Sequence, residues 1–530
     1  MTLTYKYIIF FLLGLHFYST IQAQNETLLK GKILAESYCS SCHSYPSPSL
    51  LPQDIWKTRV LPHMAAFMGF QAAQDSLGVW ENIIEEEKAV LKELGVYPNT
   101  TLLSTEDFQA IVDFYIQESP KELLFQEHKQ TPDTLRNFTV KQLFIEGIQS
   151  PKTSLVAINE ERSELIISDA NTNQLYVKDQ NDELYTLPHT SSPAVHFIKK
   201  APNVYHFITV GSIAPSDLSQ GSLYEMDLNS DGWNKIMDKL ARPVYGIWED
   251  IEKDGKPDLL LCNYGNHSGG ISLYLDGNLQ AIPIQFIGAG ARKVEIVDLN
   301  QDGKLDVVAL FCQGDERISV FYNKGNGEFY SEKILLKFSP VMGSSYFEVH
   351  DMNGDGRLDL LVSNGDNWDY SSVNKPYHGF RIYVNKGNDQ FEEAWFYPQF
   401  GAAKVMALDF DEDGDLDLAS IAFYDDMENP EHQFLLFENT GNMTFSPKYV
   451  PEAAMGKWMT MDVGDIDADG DEDIVLGAYA HNALEYTKLI MRGITNIPHV
   501  LILENEVRFT NTIFDLQLPT SNPEIPDEIK

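Results

Sequence analysis

Five short segments of this chain repeat one acidic pattern in register, and no other feature restricts its fold as much. They run Asp250 to Asp258, Asp298 to Asp306, Asp351 to Asp359, Asp409 to Asp417 and Asp465 to Asp473. Each reads D-x-[DNE]-x-D-G-x-x-D, and their starts lie 48, 53, 58 and 56 residues apart. Oxygens at positions 1, 3, 5 and 9 can converge on a hard cation, and Gly at position 6 permits the sharp turn this needs. One such loop means little, because Asp-Gly turns are common. Five at a near-constant period mean that one supersecondary unit is built again and again. The unit is not an EF-hand, since its closing acid falls at position 9 instead of 12 and its flanks read as strands.

The flanks define the unit. Apolar runs precede the loops, as at Val294 to Val297 and Val405 to Leu408, and follow them, as at Leu305 to Phe311 and Leu358 to Val362. Third strands, Ile318 to Gly327 and Phe380 to Asn388, end in Asn/Gly turns that start a fourth. Four strands in roughly 50 residues make one blade of a propeller. Ser154 to Leu187 and Val195 to Ile236 read as strands without acidic loops, which brings the count to about seven blades. Asp227 to Gly232 looks similar to the repeat but lacks the closing acid and reads as a plain hairpin turn.

These residues resemble the FG-GAP or VCBS repeats of integrin-type propellers, in which the loop between the first two strands holds calcium. The resemblance implies calcium ligands at Asp250, Glu252, Asp254 and Asp258; at Asp298, Asn300, Asp302 and Asp306; and at Asp351, Asn353, Asp355 and Asp359. It implies them likewise at Asp409, Asp411, Asp413 and Asp417, and at Asp465, Asp467, Asp469 and Asp473. Glu252 is one methylene longer than its counterparts.

Near the amino terminus stands Cys39-Ser-Ser-Cys42-His43, the C-x-x-C-H spacing of covalent c-type haem attachment. On one helical turn it sets both sulfurs along one porphyrin edge, with the imidazole beneath the iron. A thioredoxin-like pair needs a βαβ context, and the local pattern is helical. A zinc site needs two more ligands at paired spacing, and no second C-x-x-C or H-x-x-x-H is present. Leu28, Leu29, Ile33, Leu34 and Tyr38 recur at helical spacing ahead of the motif, with Gly31 and Ala35 as small residues.

From about Lys30 to Pro120 the chain resembles a class I cytochrome c domain. The Pro-rich stretch Tyr45 to Ser49 follows the motif, Trp56 to Leu61 leads into Pro62-His63-Met64, and a closing helix begins at Ser104 with the stripe Phe108, Ile111, Val112, Tyr115. The resemblance implies haem c on Cys39 and Cys42, His43 as an axial iron ligand, and last-helix packing on the first. Met64 is the expected sixth ligand by its place after Leu61-Pro62. Met68, His63 and an open position are the alternatives, and a Met here can also be core filler.

The first 24 residues place one Lys before an apolar run from Ile8 to Leu15 and end in small and polar residues, the layout of a signal peptide cleaved after Ala23. The run is short for about 30 Å of hydrocarbon, which argues against an anchor. The formal net charge of -39, from 39 basic and 78 acidic side chains, repels nucleic acid and anionic membranes. With 43% hydrophobic residues the acid excess belongs to a folded chain, not a disordered tail. Cys262 and Cys312, in similar positions of adjacent repeats, read as buried thiols more readily than as a bridge. The expected organisation is multidomain: signal peptide 1–23, small all-α cytochrome c domain 24–120, linker 121–137, all-β propeller 138–515 and tail 516–530.

Three classes of function fit these readings. The first is an exported electron carrier, periplasmic or at the cell surface, with the propeller as docking platform and a redox protein or membrane electron-transport component as partner. The second is a dehydrogenase oxidising a sugar or alcohol at the propeller rim. Loops such as Gln313 to Glu316, Asn364 to Tyr370, Lys375 to Gly379, Gly343 to Tyr346 and Gly456 to Trp458 bring Tyr, Trp, Asp, Lys and His to that rim, which can bind a carbohydrate, another small-molecule ligand or an organic cofactor, or consist merely of solvated loops. The propellers of haem-fused quinoprotein dehydrogenases lack Asp-rich loops, and no catalytic constellation stands out in this sequence. The third is a structural or adhesion propeller.

Overall fold

The structure is a computed structural model that describes residues 26–81, 83–125, 130–230, 232–366, 373–423, 428–481 and 483–507. The expected signal peptide and tail, and residues 367–370 of one rim loop, lie outside the described residues. Among the described residues no helix is long and apolar enough to cross a membrane.

Seven four-stranded antiparallel sheets follow one another in chain order from Thr153 to Asn505. The five acidic loops each join the first and second strands of a blade, the third to the seventh. In six blades every residue of the second strand is buried, as at Asp306–Phe311 and Asp473–Ala478. These strands sit mid-blade with both faces covered, which is why they read as continuous apolar runs. An apolar cluster fills the space between each pair of neighbouring blades. One of them joins the last blade to the first through Ile466, Val475, Val500, Val156 and Leu165.

The ring closes by a strand borrowed across the chain. Phe138–Leu143 pairs antiparallel with Val500–Asn505, Phe138 opposite Asn505 and Leu143 opposite Val500, so the amino-terminal end of the propeller completes its last blade. Part of the expected linker also joins the sheet: Asp133–Thr134 runs parallel to the outer strand of the sixth blade at Lys448 and Tyr449. Asp227 closes the hairpin between Gly221–Asp227 and Gly232–Leu240, as a plain turn should.

Ahead of the propeller lies a helical unit: a helix over 26–38, a 3₁₀ turn Cys39–Ser41, then Leu61–Phe67, Gln71–Leu77, Glu85–Leu94 and Thr105–Glu118. Pro62 has no N–H to close a turn onto Thr58. Just before it the helix widens into a π turn, Trp56–Val60, with the Leu61 N–H bonding back to the Trp56 carbonyl.

Candidate functional site

The Cys39 turn is held by the packing of the first helix on the last. A Cβ on Gly31 would stand 2.0 Å from the Ala110 carbonyl oxygen and 2.8 Å from Phe114 Cβ, so the helices meet at a point only glycine allows. Gly31 and Ala35 make this contact face, with Leu34 and Tyr38 partly buried, while Leu29 and Ile33 are exposed. The stripe expected on the first helix is therefore split, and its small residues carry the contact. Ser104 caps the last helix, its Oγ accepting from Asp107 N (3.1 Å). Below the turn, Tyr115 packs against Trp56 with ring centroids 4.6 Å apart. Tyr115 Oη–H donates to the Pro46 carbonyl (2.7 Å) and Trp56 Nε1–H to that of Pro48 (2.9 Å), fixing the Pro-rich stretch.

His43 lies half-buried with Nδ1 2.9 Å from the Ser44 carbonyl oxygen. A carbonyl only accepts, so Nδ1 donates, and Nε2 is the nitrogen left for a ligand-binding role. Cys39 and Cys42 are unbridged. Burial pushes the Cys39 thiol up to about 11 against the lowering effect of its Tyr115 hydrogen bond. A thiol so placed is a poor thiolate nucleophile, which argues against thioredoxin-like exchange.

Cys39, Cys42, His43, His63, Met64 and Met68 all border one cavity of about 1350 Å³. Both methionines pack on the helical core as well as lining the cavity, Met64 half-buried on Leu61–Phe67 and Met68 9% exposed. His63 is turned back on its own helix, Nδ1 2.6 Å from the Arg59 carbonyl.

The opposite wall is the mouth of the propeller. Loops after the second strands and before the first strands gather there as expected, bringing Gln313, Glu316, Ser345, Tyr346, Lys457 and Trp458 to the cavity. Hydrogen bonds at two places help hold the helical unit on this face. Glu87 accepts from Ser216 Oγ (2.7 Å) and Asp217 N (3.1 Å), and Tyr377 Oη–H donates to the Leu50 carbonyl (2.9 Å). Asp217 in turn accepts from the backbone N–H groups of Asn266, His267 and Ser268 and from His267 Nδ1 (2.9 Å). Burial alone would raise the Asp217 carboxyl, but these bonds override it and hold it well below the usual carboxylate range. Glu87, Asp217 and His267 belong to no spacing pattern, and only the docking of the two units reveals them.

The acidic loops stand at the other ends of the first strands, away from the cavity. In all five, position 9 ties the loop shut: one carboxylate oxygen accepts the N–H of position 2 (2.9 to 3.2 Å). The other accepts an N–H from the end of the third strand, at Asp276, Asn323, Asn385, Asn439 or Asn505 (2.6 to 2.9 Å). Asp258, Asp306, Asp359, Asp417 and Asp473 are buried and act first as backbone acceptors.

The remaining positions divide the loops into two groups. In the first three, position 7 is a cation beside the position 5 carboxylate: Lys256 to Asp254 at 3.4 Å, Lys304 to Asp302 at 3.1 Å, Arg357 to Asp355 at 2.5 Å. There Asp250, Asp298 and Asp351 each accept two loop N–H groups (2.8 to 3.0 Å), and Glu252, Asn300 and Asn353 line the same turns. In the last two, position 7 is Asp415 or Asp471. Carboxylate oxygens of Asp409, Asp411 and Asp413 lie within 4.8 Å of one another, as do those of Asp465, Asp467 and Asp473. The buried Oδ1 atoms of Asp409 and Asp465 accept no hydrogen bond among the described residues. Asp469 accepts from Asp471 N (3.2 Å) in the same turn.

Comparison with protein families matches the FG-GAP-like repeat at residues 250–309, 298–362 and 409–476. Comparison with curated proteins finds no match. Among solved structures, the WD40 repeats of RRP9 align at 10% identity over 71% of this chain and 99% of that one, with a TM-score of 0.44. The structure of U3-55K aligns at 8% identity over 69% and 98%, with a TM-score of 0.42. By the family match and its own seven sheets, the chain carries FG-GAP repeats in a seven-bladed propeller, an architecture suited to binding, docking or a structural role.

Proposed function

We propose that this protein is an exported electron carrier in which the helical unit is a c-type cytochrome domain and the FG-GAP propeller is its calcium-braced docking platform. The observation that carries the reading is the shared cavity: both C-x-x-C-H cysteines, an imidazole with Nε2 free, and Met64 border one space. That donor set fits haem c: Cys39 and Cys42 would anchor it through thioethers, and His43 and Met64 would ligate its iron. Bound haem supplies one-electron transfer. The chain's own work is to fix the His43 tautomer through Ser44 and to shield the site with Met64, Phe108 and Tyr115. Periplasmic or cell-surface placement and a redox protein or membrane electron-transport partner follow from this reading.

Calcium belongs to the same proposal, strongest at the two loops that have no internal cation. Asp409, Asp411 and Asp413, and Asp465, Asp467 and Asp473, bring three carboxylates together where Lys or Arg relieves the charge in the other loops. The test is expression of the full chain in a host competent for cytochrome maturation. The expected product stains for covalent haem, shows a Soret band and retains calcium by elemental analysis. A mature protein without a Soret band overturns the cytochrome reading, and one without bound metal overturns calcium separately.

A further inference from the structure

The floor of the cavity is formed by inner strands of the propeller, and two cations there make no ion pair among the described residues. Arg292, exposed to the cavity from the fourth blade, donates through Nε to the Ser345 carbonyl (3.1 Å). Lys404, from the sixth blade, donates to the Met461 carbonyl (2.7 Å) and sits 4.8 Å from the ring of Tyr346. Neither has a carboxylate within 4.0 Å among the described residues. Several other cations of the propeller do: Lys293 with Glu295 at 2.7 Å, Arg317 with Glu332 at 2.6 Å, Arg381 with Glu393 at 3.1 Å, and Lys457 with Glu485 at 2.8 Å.

In a chain with twice as many acids as bases, two cations without an ion pair in a confined space offer a place for an anion that is not part of the protein. Both line the same cavity beside one strand, Arg292 at the Ser345 carbonyl and Lys404 at the Tyr346 ring. Burial, with repulsion from Lys293 and Arg292 opposing attraction from Asp462 and Glu348, pushes Lys404 down to about 8, a cost that a bound anion would relieve. Asp462, which accepts from Ile158 N (2.9 Å), and Glu348, already paired with Lys293, oppose a multiply charged ligand. The free nitrogens of the Arg292 guanidinium form a planar fork that suits a carboxylate.

We propose that Arg292 and Lys404 form a carboxylate-binding site on the floor of the cavity, facing the Cys39 turn. Two sources supply that chemistry, a free small organic acid and a propionate arm of the haem proposed above; the second source rests on that reading and the first does not. The test titrates the full chain calorimetrically with acetate, lactate and gluconate, in the haem-loaded form and in a haem-free C39A/C42A form. Binding by both forms, weakened at least tenfold by R292Q and by K404Q, identifies a free acid.

Binding by the haem-free form alone, with a lower midpoint potential of the loaded protein on R292Q, identifies the propionate, because losing a nearby cation favours the oxidised haem. R292K keeps the charge without the fork and serves as the control where R292Q alters folding. No binding by either form together with an unchanged potential overturns the proposal, as does binding that R292Q and K404Q leave intact. Absence of a Soret band is read independently and leaves the haem-free arm valid.

Discussion

Trp248 Nε1–H donates to His206 Nδ1 at 3.1 Å, and the other ring nitrogen of His206 lies 3.1 Å from Glu225 Oε2. The pair joins the inner strand of the third blade to the second strand of the second. Because Trp donates only, His206 must accept at Nδ1 and is neutral in the fold. Burial pushes His206 from 6.5 down to about 4, against the raising effect of its Glu225 bond. Between those values the unfolded chain takes a proton that the native one refuses, so stability present above about 6.5 is lost as pH falls toward 4. The full contribution is up to about 3 kcal/mol. Denaturant unfolding at pH 7 and pH 5 should show a smaller loss for H206Q than for the parent; equal losses would contradict the assignment.

The two groups of acidic loops should respond differently to metal. Chelation is expected to lower the melting temperature, since each occupied site adds about 3 kcal/mol at a calcium concentration a hundredfold above Kd. D413N should remove more of this calcium dependence than D302N, because Lys304 already neutralises Asp302. Scanning calorimetry with and without calcium measures both, and equal effects would show that the position 7 cation does not matter.

Position 9 should matter with or without metal. In D359A the N–H groups of Met352 and Asn385 lose their acceptor in a buried site, at a cost of about 1 to 3 kcal/mol each. D355A removes an exposed carboxylate whose partners on Arg357 can turn to water, and should cost less than D359A in chelator. Unfolding in chelator separates the two, and a D359A protein as stable there as its parent would refute the structural role.

The contact between Gly31 and Ala110 makes the helical unit sensitive to a single methyl group. G31A forces the first and last helices apart, because the atom it would meet is backbone. The expected cost is about 1 to 3 kcal/mol, the usual range for overpacking. Loss of helical signal at lower temperature, with the propeller transition unmoved, would verify it by circular dichroism.

Sequence alone determined the repeating unit here, because a Gly that must turn and oxygens that must converge leave a pattern of fixed spacing. It also determined the Cys39 to His43 motif and the four-strand period, since each is a local constraint written in adjacent residues. It did not reveal that Phe138 to Leu143 closes the last blade, as that pairing joins residues more than 350 positions apart. Nor did it reveal the double hydrogen bonding of the position 9 acids, whose second partner lies one strand further on. The cavity shared by Cys42 and Arg292 was decided by tertiary structure for the same reason. Two units dock through Glu87, Ser216 and Tyr377, and contacts between distant segments carry no periodicity along the chain.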